Sequence, residues 1–393
     1  MSKLLFRCLL TALSATLVSS SLSYGQVDLP VHVKSALLLE AETGTVLYSE
    51  NPDERLVPAS LVKIMTLVLV MEYVKATNLE LDTKVQVSRR ASRIGGRQIY
   101  LKEDEYLTVE ELIKSAAIFS ANDASYALAE LVAGSEEAFV QMMNDKAKVI
   151  GMKETHFVNS HGLPAAGQAG KQYTTAYDLG LLARYVIYNV PELFDYTSQK
   201  TSTIRDGAFS LVSTNKSLWK REDVFGLKTG FVNASGFCVV STARQGNMTL
   251  ISIIMGANNK QARFSAAERL FDYGFENFVL REIKELPEGK AVTVTAGVES
   301  SAQVTIVHPA FIVLPREKSG APSVTFDVVQ ELEAPVFAGQ PAGTVSFSWG
   351  EELTVNIPLM IANDIPEKKT LLRKASKIYQ RVKTLWSSKY AGD

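Results

Sequence analysis

Three short strings in this chain carry residue types suited to nucleophilic chemistry: Ser60-Leu61-Val62-Lys63, Ser120-Ala121-Asn122 and Lys228-Thr229-Gly230. Between them they supply a hydroxyl, an amine able to take its proton, and an ammonium and hydroxyl able to hold a carboxylate. A serine hydroxyl attacks only when a base removes its proton, and an ammonium is no base. Lys63, one helical turn beyond Ser60 on the same face, must therefore be desolvated or set beside another cation such as Lys228 to be neutral near pH 7. Ser120 is placed to pass a proton between that amine and a leaving group, and Asn122 to hold an amide. Gly230 lets a ligand or another backbone come close to a strand.

Each string alone has an ordinary reading. Ser60 reads equally as a helix cap with Lys63 a solvated helix residue, and Ser120-Ala121-Asn122-Asp123 as a polar turn ending one helix, with Asp123 capping the next. Arg263, in Gln261-Ala262-Arg263-Phe264, is either a second carboxylate partner or a surface residue at a helix start. His161, in Asn159-Ser160-His161-Gly162-Leu163, polarises a water or simply makes a structural hydrogen bond. Cys238, on an apolar run, reads as core rather than nucleophile.

The elements that must position these residues follow from hydrophobic spacing. The apolar segment Lys34 to Leu39, a turn at Glu42-Thr43-Gly44 and strand-like Thr45 to Tyr48 predict a hairpin. Ser60 opens a buried helix whose apolar positions continue at Leu61, Ile64, Met65 and Val68. Thr108 and Glu111 have capping-box spacing for a helix running toward Ser120, and helical text returns at 124–132, 139–149 and 177–189. From Phe225 the pattern becomes strands: the Lys228 run, Phe237 to Thr242 and Thr249 to Met255. A helix over Ala266 to Tyr273 closes that sheet. Beyond about Pro287, short β-branched runs divided by Gly and Pro predict a small all-β domain, a sandwich, with no chemical cluster in it.

The chain ends bound the setting. Lys3 and Arg7 precede an apolar stretch, Cys8 to Leu22, and small residues at Ser23 and Gly25 offer a cleavage site before Gln26, so residues 1–25 read as a secretory signal; an uncleaved anchor is the competing reading. Removal of that leader leaves Cys238 as the only thiol, so no internal disulfide can form. After Pro366, apolar Leu371, Leu372, Ala375, Ile378, Tyr379, Val382, Leu385 and Trp386 recur at helical spacing among lysines and arginines. This spacing predicts an amphipathic helix suited to an anionic membrane surface and too charged to span one; a basic helix folded back on the acidic body, or a partner-binding coiled coil, is the competing reading. A net charge of −1 gives no global attraction for nucleic acid, and neither a phosphate loop nor a zinc-spaced Cys/His cluster is present. No metal and no cofactor are expected.

The three strings in this order resemble the motifs of the serine penicillin-recognising enzymes. The chain from about Ala36 to Trp386 is similar to the low-molecular-mass penicillin-binding proteins that act as D-alanyl-D-alanine carboxypeptidases. The resemblance rests also on Pro58-Ala59 before Ser60, on Asn159 to Leu163, on the Arg263 stretch, and on the β-rich tail and basic terminal helix. It implies an α/β, β-lactamase/transpeptidase-like catalytic domain over 26–282, with an antiparallel sheet, flanking helices and an α-rich lobe. A β-sandwich domain over 283–362 and a membrane-anchoring helix over 363–393 would follow. By the same resemblance Ser60 is acylated by peptidoglycan stem peptides ending in D-Ala-D-Ala and by β-lactam antibiotics. Lys63 is the general base, Ser120 a proton relay and Asn122 an amide ligand. Lys228 and Thr229, with Gly230 and assisting Arg263, hold the terminal carboxylate. The backbone N–H groups of Ser60 and Phe231 form the oxyanion hole, and His161 lies near the substrate. The implied location is the periplasmic face of a bacterial cytoplasmic membrane. Ala121 stands where penicillin-hydrolysing relatives carry Asp, and no Glu-x-x-Leu-Asn string is present, which disfavours a β-lactamase. Two further functions compete with the carboxypeptidase: a D,D-endopeptidase, which would use the same site on a different bond, and a non-catalytic peptidoglycan-binding protein.

Overall fold

The computed structural model describes residues 28–368 except 30, 165–170, 285, 287–289, 307–309, 319 and 351–352. The leader over 1–25 and the basic helical text after Pro366, apart from 367 and 368, lie outside the described residues. The chain divides between Leu280 and Arg281 into two compact units.

The first unit is built on a five-stranded antiparallel sheet. Its strands are β1 (Ser35–Glu40), β2 (Val46–Glu50), β3 (Val224–Val232), β4 (Gly236–Gln245) and β5 (Met248–Ala257), in the order β2-β1-β5-β4-β3. The central strand β5 is buried along its whole length, as its near-continuous apolar text requires when both faces are covered. What covers them can be read from alternation. The helices α1 (Val62–Thr77), α2 (Val109–Lys114), α3 (Asn122–Ala133), α4 (Glu136–Ile150), α5 (Ala176–Asn189) and α6 (Ala262–Asn277) complete this unit's framework. A Cβ at Gly180 of α5 would strike Leu37 and Leu39, whereas one at Gly274 of α6 would strike Leu38 and Leu250. Helices α5 and α6 thus pack on opposite faces of β1, and each uses a glycine to approach it.

Between β2 and β3 the chain forms the α-rich lobe. The first nine residues of α1, Lys63 included, are buried, so the helix is enclosed rather than laid on a surface. The capping box expected at α2 is complete: Glu111 N–H donates to Thr108 Oγ1 at 3.1 Å, and Thr108 N–H donates to Glu111 Oε2 at 2.8 Å. That helix does not run regularly to Ser120. A π-helical turn, Ser115–Phe119, widens it and ends at Ser120 in the left-handed region, φ 68°. Asn122 then starts α3 rather than sitting in an open loop.

The second unit is the all-β sandwich domain. Its larger sheet contains β6 (Ala291–Thr295), β7 (Ser301–Ile306), β8 (Ser323–Val328), β9 (Glu331–Glu333), β10 (Pro341–Trp349) and β11 (Leu353–Ile361), in the order β8-β10-β11-β7-β6-β9. The β10–β11 ladder pairs Val345 with Ile357 and Phe347 with Val355, which places buried apolar side chains from both strands on one face.

Candidate active site

Ser60 lies in a 3-10 turn, Ala59–Leu61, that feeds directly into α1. Ala59 holds φ 49°, a left-handed conformation costly for a residue with a side chain. The neighbours explain why it persists. A Cβ at Gly162 (φ +88°) would sit 2.0 Å from Ala59 O and 3.0 Å from Ser60 N, so bare backbone packs against the 59–60 peptide from one side. From β3, Gly230 approaches the same turn, where a Cβ would meet Pro58 O at 2.9 Å. The backbone at Ser60 is clamped between two glycines.

Lys63 is fully buried. Its Nζ donates to Asn122 Oδ1 at 2.6 Å and to His161 O at 2.5 Å, and lies 3.2 Å from Ser60 Oγ. The two carbonyl oxygens can accept but not donate, so they claim two N–H bonds of the amine. The remaining tetrahedral position faces Ser60 Oγ: a third N–H when Lys63 is charged, a lone pair when it is neutral. Burial, helped by Arg97 and opposed by Asp123, lowers the Lys63 pKa from 10.5 to about 7. Both forms are therefore populated at neutral pH.

Ser120 is not hydrogen-bonded to Lys63. Its Oγ accepts from Lys228 Nζ at 2.8 Å, so the structure ties this hydroxyl to the strand rather than to the base. Lys228 also donates to Thr229 O at 3.1 Å, and burial together with the charges of Lys63, Arg97 and Arg263 pushes its pKa well below the ordinary value. Thr229 is oriented by Thr214, whose Oγ1 accepts its hydroxyl at 2.7 Å.

Two expected residues take different parts from those the sequence suggests. Arg263 is neither on the surface nor free to meet a ligand with its whole fork: Nη1 donates to Gly230 O at 3.0 Å and Cys238 O at 3.2 Å, bracing β3 against β4. Burial lowers its pKa to about 10. His161 is also buried, and desolvation followed by the Lys63 charge lowers its pKa to about 3. Leu163 N–H donates to His161 Nδ1 at 3.1 Å, which places the ring proton on Nε2, 3.6 Å from Glu136 Oε1. The imidazole is a neutral structural group. What His161 presents to Lys63 is its backbone carbonyl. Phe231 is 47% exposed and stacks on Phe237 with centroids 4.2 Å apart, forming part of the rim. Cys238 is buried, and desolvation raises its thiol pKa, as suits a core residue.

Several contributors are invisible as motifs. Asp123 does not cap α3 in the expected manner: its buried carboxylate accepts the N–H groups of Ile99 at 3.1 and 3.2 Å, of Leu101 at 3.1 Å and of Ala124 at 2.9 Å. It thereby fixes the 95–101 loop, whose Gly95 O accepts from Asn122 Nδ2 at 2.8 Å. Glu136 performs the same service behind the site, accepting from Ser160 N–H at 2.9 Å and from its hydroxyl at 2.6 Å. A buried Asp immediately after the Asn of a Ser-x-Asn string was the only signal that could have marked this support.

A hydroxyl facing a desolvated amine, beside a second buried lysine on a strand, is the arrangement expected of a serine acyl-transfer enzyme. The family model for D-alanyl-D-alanine carboxypeptidases, peptidase S11, matches residues 23–259. This chain belongs to that family. The model for the C-terminal domain of penicillin-binding protein 5 matches residues 281–367. D-alanyl-D-alanine carboxypeptidase DacF of Bacillus subtilis is 34% identical over 346 residues, covering 86% of this chain and 87% of the relative. The crystal structure of penicillin-binding protein 5 from Haemophilus influenzae superposes with a TM-score of 0.80 at 27% identity, over 87% of this chain and all of the other. Penicillin-binding protein D2 of Listeria monocytogenes, in its ampicillin-bound form, aligns with a TM-score of 0.59 at 34% identity, over 64% of this chain and all of that one. The carboxypeptidase described here is accordingly a low-molecular-mass penicillin-binding protein and a serine peptidase of D-Ala-D-Ala ends.

Proposed function

We propose that Ser60 is the nucleophile and Lys63 the base that activates it. The observation that carries this reading is the coordination of Lys63 Nζ, with two carbonyl acceptors and one open position facing Ser60 Oγ. The terminal carboxylate of a stem peptide sits against Lys228 Nζ and Thr229 Oγ1, which presents the penultimate D-alanine carbonyl to the N–H groups of Ser60 and Phe231. Neutral Lys63 takes the Ser60 proton as Oγ attacks, and the developing oxyanion is held by those two N–H groups. Asn122 and the rim at Phe231 flank the peptide. Ser120, hydrogen-bonded to Lys228, hands a proton to the departing D-alanine amine, and Lys228 restores it. The amine leaves and an ester to Ser60 Oγ remains; Lys63 releases to solvent the proton it took, and Lys228 regains one from solvent. Neutral Lys63 then takes a proton from the attacking water and returns it to Ser60 Oγ as the ester is cleaved. Arg263 acts by holding Gly230 and β4 in register rather than by binding substrate.

A β-lactam carries a carboxylate beside a strained amide and enters by the same route; the ampicillin-bound relative supports this. The leader and the basic C-terminal helix read from the sequence support export and attachment to the outer face of the cytoplasmic membrane, within domains bounded near 25, 282 and 362. Ser60→Ala is the direct test. It is expected to abolish both D-alanine release and covalent labelling by a fluorescent penicillin. Survival of either would remove Ser60 from the role.

A further inference from the structure

One exposed charge at the site has no carboxylate beside it among the described residues. Arg97 lies in Gly95-Gly96-Arg97, a loop pressed onto Asn122: Arg97 O accepts from Asn122 N–H at 2.7 Å, and a Cβ at Gly96 (φ +75°) would come within 2.7 Å of Asn122 Nδ2. The Arg97 guanidinium lies over the ring of Phe119, 4.9 Å from Cζ to centroid, and Phe119 immediately precedes Ser120. Phe119 is itself braced edge-on by Phe209, centroids 5.7 Å apart. The ring contact anchors the head of this exposed side chain, and no side-chain hydrogen bond of Arg97 is seen among the described residues.

Lys63, Lys228 and Arg263 are all buried in the same site, and the positive charge of Arg97 bears on all three. Of the exposed arginines earlier in the same stretch, Arg89 pairs with Glu103 and Arg90 with Glu137. A guanidinium with no carboxylate of its own, close to Lys63, Lys228 and Arg263 and on a loop held at Asn122 and Asp123, is a field prepared for an incoming anion.

We propose that Arg97 is a specificity residue that reads a carboxylate of the substrate at the rim of the site. The inference rests on the function proposed above. The carboxylate has two sources: a side chain upstream of the scissile bond, on the Asn122 side, or the terminal carboxylate shared with Lys228.

The test uses the full-length protein and three peptides ending in D-Ala-D-Ala, whose next residue upstream carries a side-chain carboxylate, a carboxamide or a methyl group. D-Alanine release is measured for wild type, Arg97→Lys, Arg97→Gln and Arg97→Glu. The expected order of kcat/KM follows charge, with Lys near wild type, Gln about three- to tenfold lower and Glu lower still. The loss should fall on KM, since the contact is made in the bound ground state. A charge-ordered loss confined to the carboxylate peptide assigns the upstream source; the same ordered loss on all three peptides assigns the terminal one. Variants within twofold of wild type on every peptide, or an equal loss in Lys, Gln and Glu, would overturn the proposal. Wild-type release of D-alanine from at least one of the three peptides tests the underlying reading separately; its absence from all three would sink both, whereas release without the charge order overturns the Arg97 proposal alone.

Discussion

Acylation of this enzyme should track the deprotonation of Lys63. A lysine with its ordinary pKa of 10.5 presents a neutral amine at pH 7 in only about one molecule in three thousand. With the value lowered to about 7 by burial, about half of the molecules carry it. Enclosure of the amine thus enriches the competent form by about three orders of magnitude, on the order of 5 kcal/mol. The second-order rate constant for labelling by a fluorescent penicillin, followed from about pH 5 to about pH 9, should rise about tenfold per pH unit below 7 and level off above it. His161 cannot supply this limb, because its pKa of about 3 keeps it neutral throughout. Lys228 is separated by Lys228→Arg, whose guanidinium stays charged: binding weakens, but the rising limb should persist. Lys63→Arg keeps the charge and removes the base, and labelling should fall by about a thousandfold or more. A profile flat between about pH 5.5 and about pH 8, or Lys63→Arg labelling within tenfold of wild type, would refute the reasoning.

Other outcomes follow from single contacts. Gly162→Ala places a Cβ 2.0 Å from Ala59 O at φ +88°, whereas Gly151→Ala, at φ +91°, meets nothing within 4 Å; Gly151→Ala should lose about 1–2 kcal/mol in urea unfolding and Gly162→Ala more, and only Gly162→Ala should slow penicillin labelling, by more than about tenfold. Thr214→Val removes the acceptor that orients Thr229, and KM for D-Ala-D-Ala peptides should rise a few-fold, about 1 kcal/mol, with kcat nearly kept. Between about pH 7 and about pH 9 the unfolded chain holds more protons on Lys63 than the folded one, because the folded pKa is the lower. Stability should therefore rise with pH across that window, and less steeply in Lys63→Met, as measured by urea midpoints. Truncation after Pro366 should move the protein from the membrane to the soluble fraction; unchanged fractionation would contradict the anchoring role.

Much of the site was legible because its reactive groups occupy short strings whose elements have clear periodicity. Ser60 ahead of an apolar helix, Thr108 with Glu111, and Lys228 in strand text each declare a local structure, and each is found there. What the sequence concealed is long-range and made by backbone. The pairing of Ser120 with Lys228 rather than Lys63 depends on a π-helical turn and a left-handed Ser120, and side-chain patterning encodes neither. His161 has the residue type of a catalytic group, yet its carbonyl is what serves Lys63. Arg263 looks like a surface cation at a helix start until β3 and β4 close over it. Asp123 and Glu136 satisfy N–H groups of distant loops, and such partners cannot be told from ordinary solvated acids without the fold.

The enclosure of Lys63 also governs when the chain becomes reactive. Residues 60 and 63 are three apart in sequence, but the oxygens that strip solvent from the amine belong to residues 122 and 161, and the strand that completes the wall begins at 224. A polypeptide lacking those later segments, or not yet folded, carries the serine beside an ordinary wet lysine and is inert toward strained amides. On the roles proposed for Ser60 and Lys63, reactivity switches on only when the whole first unit has assembled, so a covalent penicillin tag would count finished molecules and serve as a titrant of folding.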